Sequence, residues 1–186
     1  MSRFFDLLLV VIMAIFLSFP SLIIALAIKT TSKGPVLHWS ERIGKDNKTF
    51  FMPKFRTMKV DTPNISTDKL ENPEKFITTV GVFLRNSSLD EVPQLLSVFL
   101  GDMKLVGPRP ALFNQYDLIE LRNKKGLSAM KPGITGWAQV NGRDQLSIEE
   151  KVKYDEEYLI RVSLIIDIYI IWLTIIKLVK KDGISH

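Results

Sequence analysis

The sequence contains no cysteine and only two histidines, His38 and the terminal His186. Disulfides, thiolate nucleophiles and zinc–thiolate sites are therefore excluded, and a histidine-based metal site or Ser–His pair would rest on His38 alone. His38 falls in a stretch that reads as strand. No Gly-Lys-Ser/Thr follows a glycine-rich segment, so there is no P-loop. No lysine/arginine run interleaves with aromatics, which argues against nucleic acid as a partner. Internal repeats and low-complexity tracts are lacking too. Long hydrophobic runs are scarce, and the one uninterrupted example, Leu7 to Ile28, decides the solvent in which the chain works.

That run holds 22 residues without a charge and includes Pro20. As a straight helix it would reach roughly 33 Å, about one hydrocarbon core. Pro20 removes a backbone donor and clashes with the preceding turn, at about 3 kcal/mol, but the strongly apolar side chains outweigh this on insertion scales. Broken at Pro20, the arms would extend only about 19 and 12 Å, too short to cross separately. Ser18 and Ser21 flank the break and can bond the freed carbonyls. Arg3 precedes the run and Lys29 and Lys33 follow it, so both ends carry the cytoplasmic sign. A re-entrant helix-break-helix satisfies these signs better than a span; a kinked transmembrane helix is the competing reading. The run is too long for a cleaved signal peptide, and no small-residue cleavage site follows it.

Residues 1–33 then form the anchor and its flank, and 34–186 one modest domain with room for a core. The net charge of +5 suits an anionic leaflet or a phosphate-bearing substrate. Gly34-Pro35 makes a turn; Val36 to Ser40 and Thr49 to Met58 read as a hairpin around Lys45 to Lys48. Lys59 to Lys75, with Pro63 and Pro73, reads as a surface loop. Helical patterning resumes over Ile77 to Arg85 and over Glu91 to Leu100, with Gly101 as the stop. Ser147 and Glu150 have capping-box spacing for a helix ending near Arg161. In Leu164 to Val179, Asp167 and Lys177 leave only nine residues uninterrupted by charge, too few to span. This segment either lies on the membrane interface, with Tyr169 and Trp172 at headgroup level and Lys177, Lys180 and Lys181 toward anionic lipid, or packs as a core helix in which Asp167 needs a partner.

The chemistry concentrates in Arg85-Asn-Ser-Ser-Leu-Asp90-Glu91-Val-Pro93-Gln94. Proline is tolerated in a first helical turn, so a helix starts near Ser88 to Asp90 and sets two adjacent carboxylates at its positive end. Such a carboxylate can attack phosphorus or coordinate Mg²⁺. Ser88 and Glu91 also have capping-box spacing, which would make the acids structural. Arg109, between Pro108 and Pro110, sits on a stiff loop suited to bidentate phosphate recognition; a plain turn is the other reading. Lys131 to Arg143 adds three glycines, Trp137 and two cations, and glycine-rich backbone can approach a phosphate closely.

Four motifs in order, Lys54-Phe-Arg-Thr-Met58, Ser88-Leu-Asp-Glu-Val-Pro-Gln94, Gly101-Asp-Met-Lys-Leu-Val-Gly-Pro-Arg-Pro110 and Pro132-Gly-Ile-Thr-Gly-Trp-Ala-Gln-Val-Asn-Gly-Arg143, resemble the bacterial sugar transferase family, the monotopic phosphoglycosyl transferases. The resemblance covers nearly the whole chain, and the length matches the minimal members. It implies an α/β, mostly helical, membrane-associated domain with an N-terminal re-entrant helix and a C-terminal interfacial helix, monotopic on the cytoplasmic face of the inner membrane. It implies Mg²⁺-dependent transfer of a phosphosugar from a UDP-sugar to polyprenol (undecaprenyl) phosphate, in surface glycan synthesis. The dyad falls on Asp90, as nucleophile, and Glu91, in metal binding or proton handling, both being metal-ligand candidates. Arg85, Arg109 and Arg143 are expected near phosphate, with Lys54 and Arg56 as lesser candidates for substrate binding. Where the family's break is usually Ser-Pro, Phe19 here precedes Pro20. Membrane lipid is an implied partner, and a homo-oligomer is left open. A membrane-bound nucleotide-sugar hydrolase and an anchored binding module without turnover are the alternatives.

Overall fold

A computed structural model describes residues 2–63 and 72–180, a mostly helical chain with two small sheets. Lys181 and residues 64–71 of the loop expected over Lys59 to Lys75 lie outside the described residues. The apolar run folds as one helix, α1 (Arg3–Thr31), that Pro20 does not interrupt. The expected division into two separate arms is therefore not seen. Of the two serines beside Pro20, Ser18 donates to the Ile15 carbonyl at 2.7 Å, a bond to the helix backbone of the kind expected. Among the described residues α1 alone is long and apolar enough to cross a membrane, with a mean hydropathy of 2.9 over its most apolar window.

One stripe of α1 faces the protein. Asp6, Val10, Ile24 and Ile28 are buried, while Met13 and Leu17 line a cavity between them. The spacing of four, three, four, then seven and four keeps every one of these residues on a single helical face. Ile15, Phe16, Phe19 and Leu22 point away and are exposed. Both ends are fastened to the same body. Arg3 donates to the Val98 and Phe99 carbonyls at 2.5 and 2.7 Å, and the buried Asp6 accepts from the Leu105 amide at 3.3 Å. At the other end the buried Arg56 donates to the carbonyls of Ser32 and Lys33 and to Ser32 Oγ.

The hairpin forms as expected. β1 (Leu37–Ile43) and β2 (Thr49–Phe55) pair antiparallel from Leu37 opposite Phe55 to Ile43 opposite Thr49. The next helix, α2 (Thr79–Ser87), is capped by Thr78, whose hydroxyl accepts from the Gly81 amide. A 3₁₀ turn, Leu89–Gln94, carries Pro93 and leads into α3 (Leu95–Leu100), which stops at Gly101 with φ of 96°, a left-handed conformation that favours glycine. Between the parallel strands β3 (Lys104–Val106) and β4 (Gly133–Thr135) runs a crossover containing α4 (Tyr116–Lys124). Beyond β4 lie α5 (Trp137–Val140), α6 (Ile148–Arg161) and α7 (Leu164–Lys180).

Ser147 and Glu150 form the expected capping box at the start of α6. The core-helix reading of α7 holds for one face. Asp167 and Ile170 are fully buried, and the Tyr158 hydroxyl donates to Asp167 Oδ1 at 2.6 Å, supplying the partner that a buried carboxylate requires. Ile165, Ile168, Trp172 and Ile175 on the opposite face are exposed. The main core brings together Val10 of α1, Met52 of β2, Val98, Leu105, Tyr158 and Ile170; a second joins Ile24 and Ile28 to Phe55 and Leu84. Burying a Leu- or Ile-sized side chain contributes about 1.5–3 kcal/mol, so α1 is part of the domain's stability as well as its anchor.

Candidate active site

Glu91 lies at the centre of the charged residues. Its Oε1 accepts from Arg109 NH2 at 2.7 Å and from Lys54 Nζ at 3.2 Å, and Arg143 NH2 stands 3.9 Å away. Three different segments deliver these cations: β2, the loop after β3, and the loop after α5. Arg85, in the last turn of α2, donates through Nε to Thr57 Oγ1 at 3.1 Å and lies within electrostatic reach of Asp90.

The two acids are driven in opposite directions. Burial pushes Glu91 up, but Arg109 and Lys54, assisted by the Arg109 hydrogen bond and by Arg143, overcome it and hold the carboxyl well below the usual range. Burial also pushes Asp90 up, and Glu91 adds to this, while Lys54, Arg109 and Arg85 pull only partly against it. Burial lowers Lys54 in turn, opposed by Glu91. Adjacent carboxylates with diverging environments are suited to different roles. Glu91 is held toward its anionic form and gathers the cations; the Asp90 carboxylate makes no hydrogen bond or ion pair with another described residue and lies within electrostatic reach of Lys54, Arg109 and Arg85.

The structure thus brings together Asp90, Glu91, Lys54, Arg85, Arg109 and Arg143. Arg56 does not join them, because its guanidinium is committed to the end of α1. Thr57, which holds Arg85, was not anticipated. Nor was the left-handed backbone of Ser88 and Arg143, with φ of 55° and 53°, a conformation uncommon for residues other than glycine and concentrated at functional positions. Ser88 explains why the acids are not a capping box. An N-cap needs extended backbone, which Ser147 has and Ser88 lacks, so Ser88 Oγ makes no cap bond and has no hydrogen-bond partner among the described residues.

The glycines after Lys131 also differ from expectation. A Cβ on Gly133 would come within 2.1 Å of the Gly107 nitrogen, and one on Gly136 within 2.1 Å of the Gly107 carbonyl oxygen. They are small because two backbones meet there, β4 against the segment leading to Arg109. The close contact locks the Arg109 loop to the Arg143 loop.

A cavity of about 250 Å³ opens beside Glu91. Arg109, Arg143 and Glu91 form its polar end; Met13 and Leu17 of α1 and Thr174 and Leu178 of α7 form walls toward the exposed apolar faces. Lys177 of α7 adds a further cation to the lining. For Mg²⁺ the donor set fits in a limited way. No cluster of three or more His, Cys, Asp or Glu occurs among the described residues, and Oε1 of Glu91 is already shared by cations. Asp90, joined at most by Oε2 of Glu91, would hold the ion with substrate phosphates and water, the usual manner for magnesium.

The model of the bacterial sugar transferase family matches residues 1–181. The chain belongs to that family. Among similar members, the UDP-glucose:undecaprenyl-phosphate glucose-1-phosphate transferase of Escherichia coli K12 is 45% identical over 83% of this chain but 35% of its own length. The chain spans about a third of the first such relatives. Two further relatives are covered more fully. The uncharacterized sugar transferase EpsL of Bacillus subtilis is 40% identical over 82% of this chain and 74% of its own length. The exopolysaccharide production protein ExoY of Sinorhizobium fredii is 33% identical over 94% and 83%.

Proposed function

We propose that this bacterial sugar transferase moves a phosphosugar from a UDP-sugar to polyprenol phosphate through a covalent intermediate on Asp90. The observation that carries this reading is the division of labour in the dyad: Glu91 is bonded or paired by cations from three segments, while Asp90, desolvated beside it, only lies within electrostatic reach of Lys54, Arg109 and Arg85. An Asp90 oxygen attacks the sugar-linked phosphorus of the donor; the bond to the bridging oxygen breaks, and UMP leaves with that oxygen. An oxygen of the lipid phosphate then attacks the same phosphorus, the acyl–phosphate bond breaks, and the Asp90 carboxylate is restored. Arg109, Arg143 and Arg85 neutralise charge on the non-bridging oxygens, the main protein contribution to phosphoryl transfer. Bound Mg²⁺ would add Lewis-acid charge neutralisation at the diphosphate.

The same reading places the domain on the cytoplasmic face of the inner membrane, with α1 as a monotopic, re-entrant anchor and the outer face of α7 on the interface. Its support is that both ends of α1 bind one body and that its middle walls the cavity beside Arg109 and Arg143. In a straight span those charges would sit at bilayer depth, where they are costly.

The purified protein, mixed with Mg²⁺ and a panel of UDP-sugars but no lipid acceptor, is expected to release up to one equivalent of UMP. The peptide containing Asp90 should gain the mass of a phosphosugar. UMP formed only when lipid phosphate is also present, with no labelled protein under rapid quench, would replace the covalent route by direct transfer. Continuous UMP release with water as acceptor would indicate a hydrolase.

A further inference from the structure

The loop that carries Arg109 has a second arginine behind it. Arg122, on α4, donates through NH1 to the Arg109 carbonyl at 2.8 Å, and through Nε and NH2 to Asp155 Oδ2 at 3.0 and 2.7 Å. Asp155 lies on α6 and is only 1% exposed. One residue on, the Pro110 carbonyl accepts from Arg42 NH1 at 3.1 Å, and the Ala111 carbonyl accepts from the Ile43 amide at 2.9 Å. Three successive carbonyls are therefore held from beneath, while the Arg109 side chain reaches the other way to Glu91.

We infer that Arg122, itself held by Asp155, is a positioning residue for the transfer reaction: it fixes the backbone from which Arg109 reaches Glu91 and the substrate phosphate. Only a guanidinium can do this. Its planar fork binds the carboxylate with two nitrogens and leaves the third, held rigidly, on the carbonyl. Lysine can satisfy Asp155 or the Arg109 carbonyl, but its single flexible ammonium cannot hold both at these separations. The catalytic consequence follows from the stiffness of phosphoryl-transfer sites, where a displacement on the order of 1 Å can cost about a hundredfold in rate. This inference rests on the proposed activity for its kinetic readout.

The test is a double-mutant cycle on the full-length protein between Arg122→Lys and Arg109→Lys, reading kcat/KM for UDP-sugar together with Tm. Each single variant is expected to lower kcat/KM roughly tenfold or more. The double variant should fall no further than Arg109→Lys alone, because Arg122 acts through a side chain that is already defective. The Tm loss from Arg122→Lys should be the same in both backgrounds. Losses in kcat/KM that multiply, or an unchanged kcat/KM in Arg122→Lys, would overturn the inference and leave the Arg122–Asp155 pair a stabilising contact only. If Arg122→Lys fails to fold, Asp155→Asn, which preserves the shape and one acceptor, takes its place in the same cycle. A wild-type protein without turnover would count against the proposed function instead. Amide exchange at Leu112, whose N–H is bonded to Gln115 within the same loop, then decides: faster exchange in Arg122→Lys supports the strut, and unchanged exchange overturns it.

Discussion

Arg109 and Glu91 form the shortest ion pair in the site, NH2 to Oε1 at 2.7 Å, and the carboxylate is only 13% exposed. The arginine thus holds the acid ionised while facing the cavity. Arg109→Lys is expected to reduce kcat/KM for the donor roughly tenfold or more with little change in fold, because a point charge cannot replace a planar fork. Unaltered kinetics in a purified variant would remove Arg109 from phosphate recognition.

The opposed shifts of Asp90 and Glu91 give a prediction about stability as well as rate. Asp90, raised in the folded state, contributes stability that is present below its unfolded value of 3.8 and lost as pH rises through the folded value. Glu91, lowered, contributes stability that is present above its unfolded value of 4.5 and lost as pH falls through the folded value. At neutral pH, Asp90→Asn should therefore raise Tm while abolishing transfer, and its advantage should shrink as pH is lowered. Glu91→Gln should instead lower Tm, at a cost of roughly 3 kcal/mol, since it leaves buried cations without their counter-ion, and should also impair transfer. Thermal melts carried from pH 8 down to pH 3 would show both trends, the Glu91 one only below its unfolded value of 4.5, and a lower Tm for Asp90→Asn at neutral pH would contradict the assignment.

Lys54 and Arg56 show where the sequence is readable and where it is not. The hairpin, the glycine stop after α3, the α6 capping box and the acidic pair all follow from local rules of a few residues. Lys54 and Arg56 stand in one motif of the family resemblance, and that resemblance made both candidates for the site. The strand ends at Phe55, and Arg56 turns instead to the end of α1. Tertiary packing, beyond the reach of periodicity, decides that. The same holds for Gly133 and Gly136, whose smallness serves a backbone contact that lies 26 to 29 positions away in sequence. The left-handed Ser88 has no residue-type signal at all, which is why its spacing to Glu91 imitated a cap.

The two cations should accordingly separate in experiment. Lys54→Met should impair turnover while the fold is retained, because two arginines still face Glu91. Arg56→Met should leave the charged site intact but destabilise the protein by about 2–3 kcal/mol, through lost charge-assisted bonds to Ser32 and Lys33. Equal loss of activity per folded molecule in both variants would show that Arg56 has a part in the site.

Topology can be read with a single labelled residue at a time, since the chain has no native cysteine. Cysteines placed at Ser2 and at Thr31 should be accessible from the same side of the membrane. Labelling of one from outside and the other from inside intact cells would rule out re-entry. Pro20→Leu restores a missing helix bond and is expected to shift α1 toward a spanning arrangement.

The inward stripe of α1 has a consequence for anyone wishing to handle the protein in water. Val10, Ile24 and Ile28 belong to the cores, and Asp6 caps an amide of β3. A chain started after Ser32 would not be a freed catalytic head. It would have an open groove where a helix had been, with Leu84, Val98 and Ile170, all now at zero exposure, standing at its base. There is no soluble half to liberate; bilayer attachment and the integrity of the catalytic body are a single property, and whatever loosens one in detergent will loosen the other.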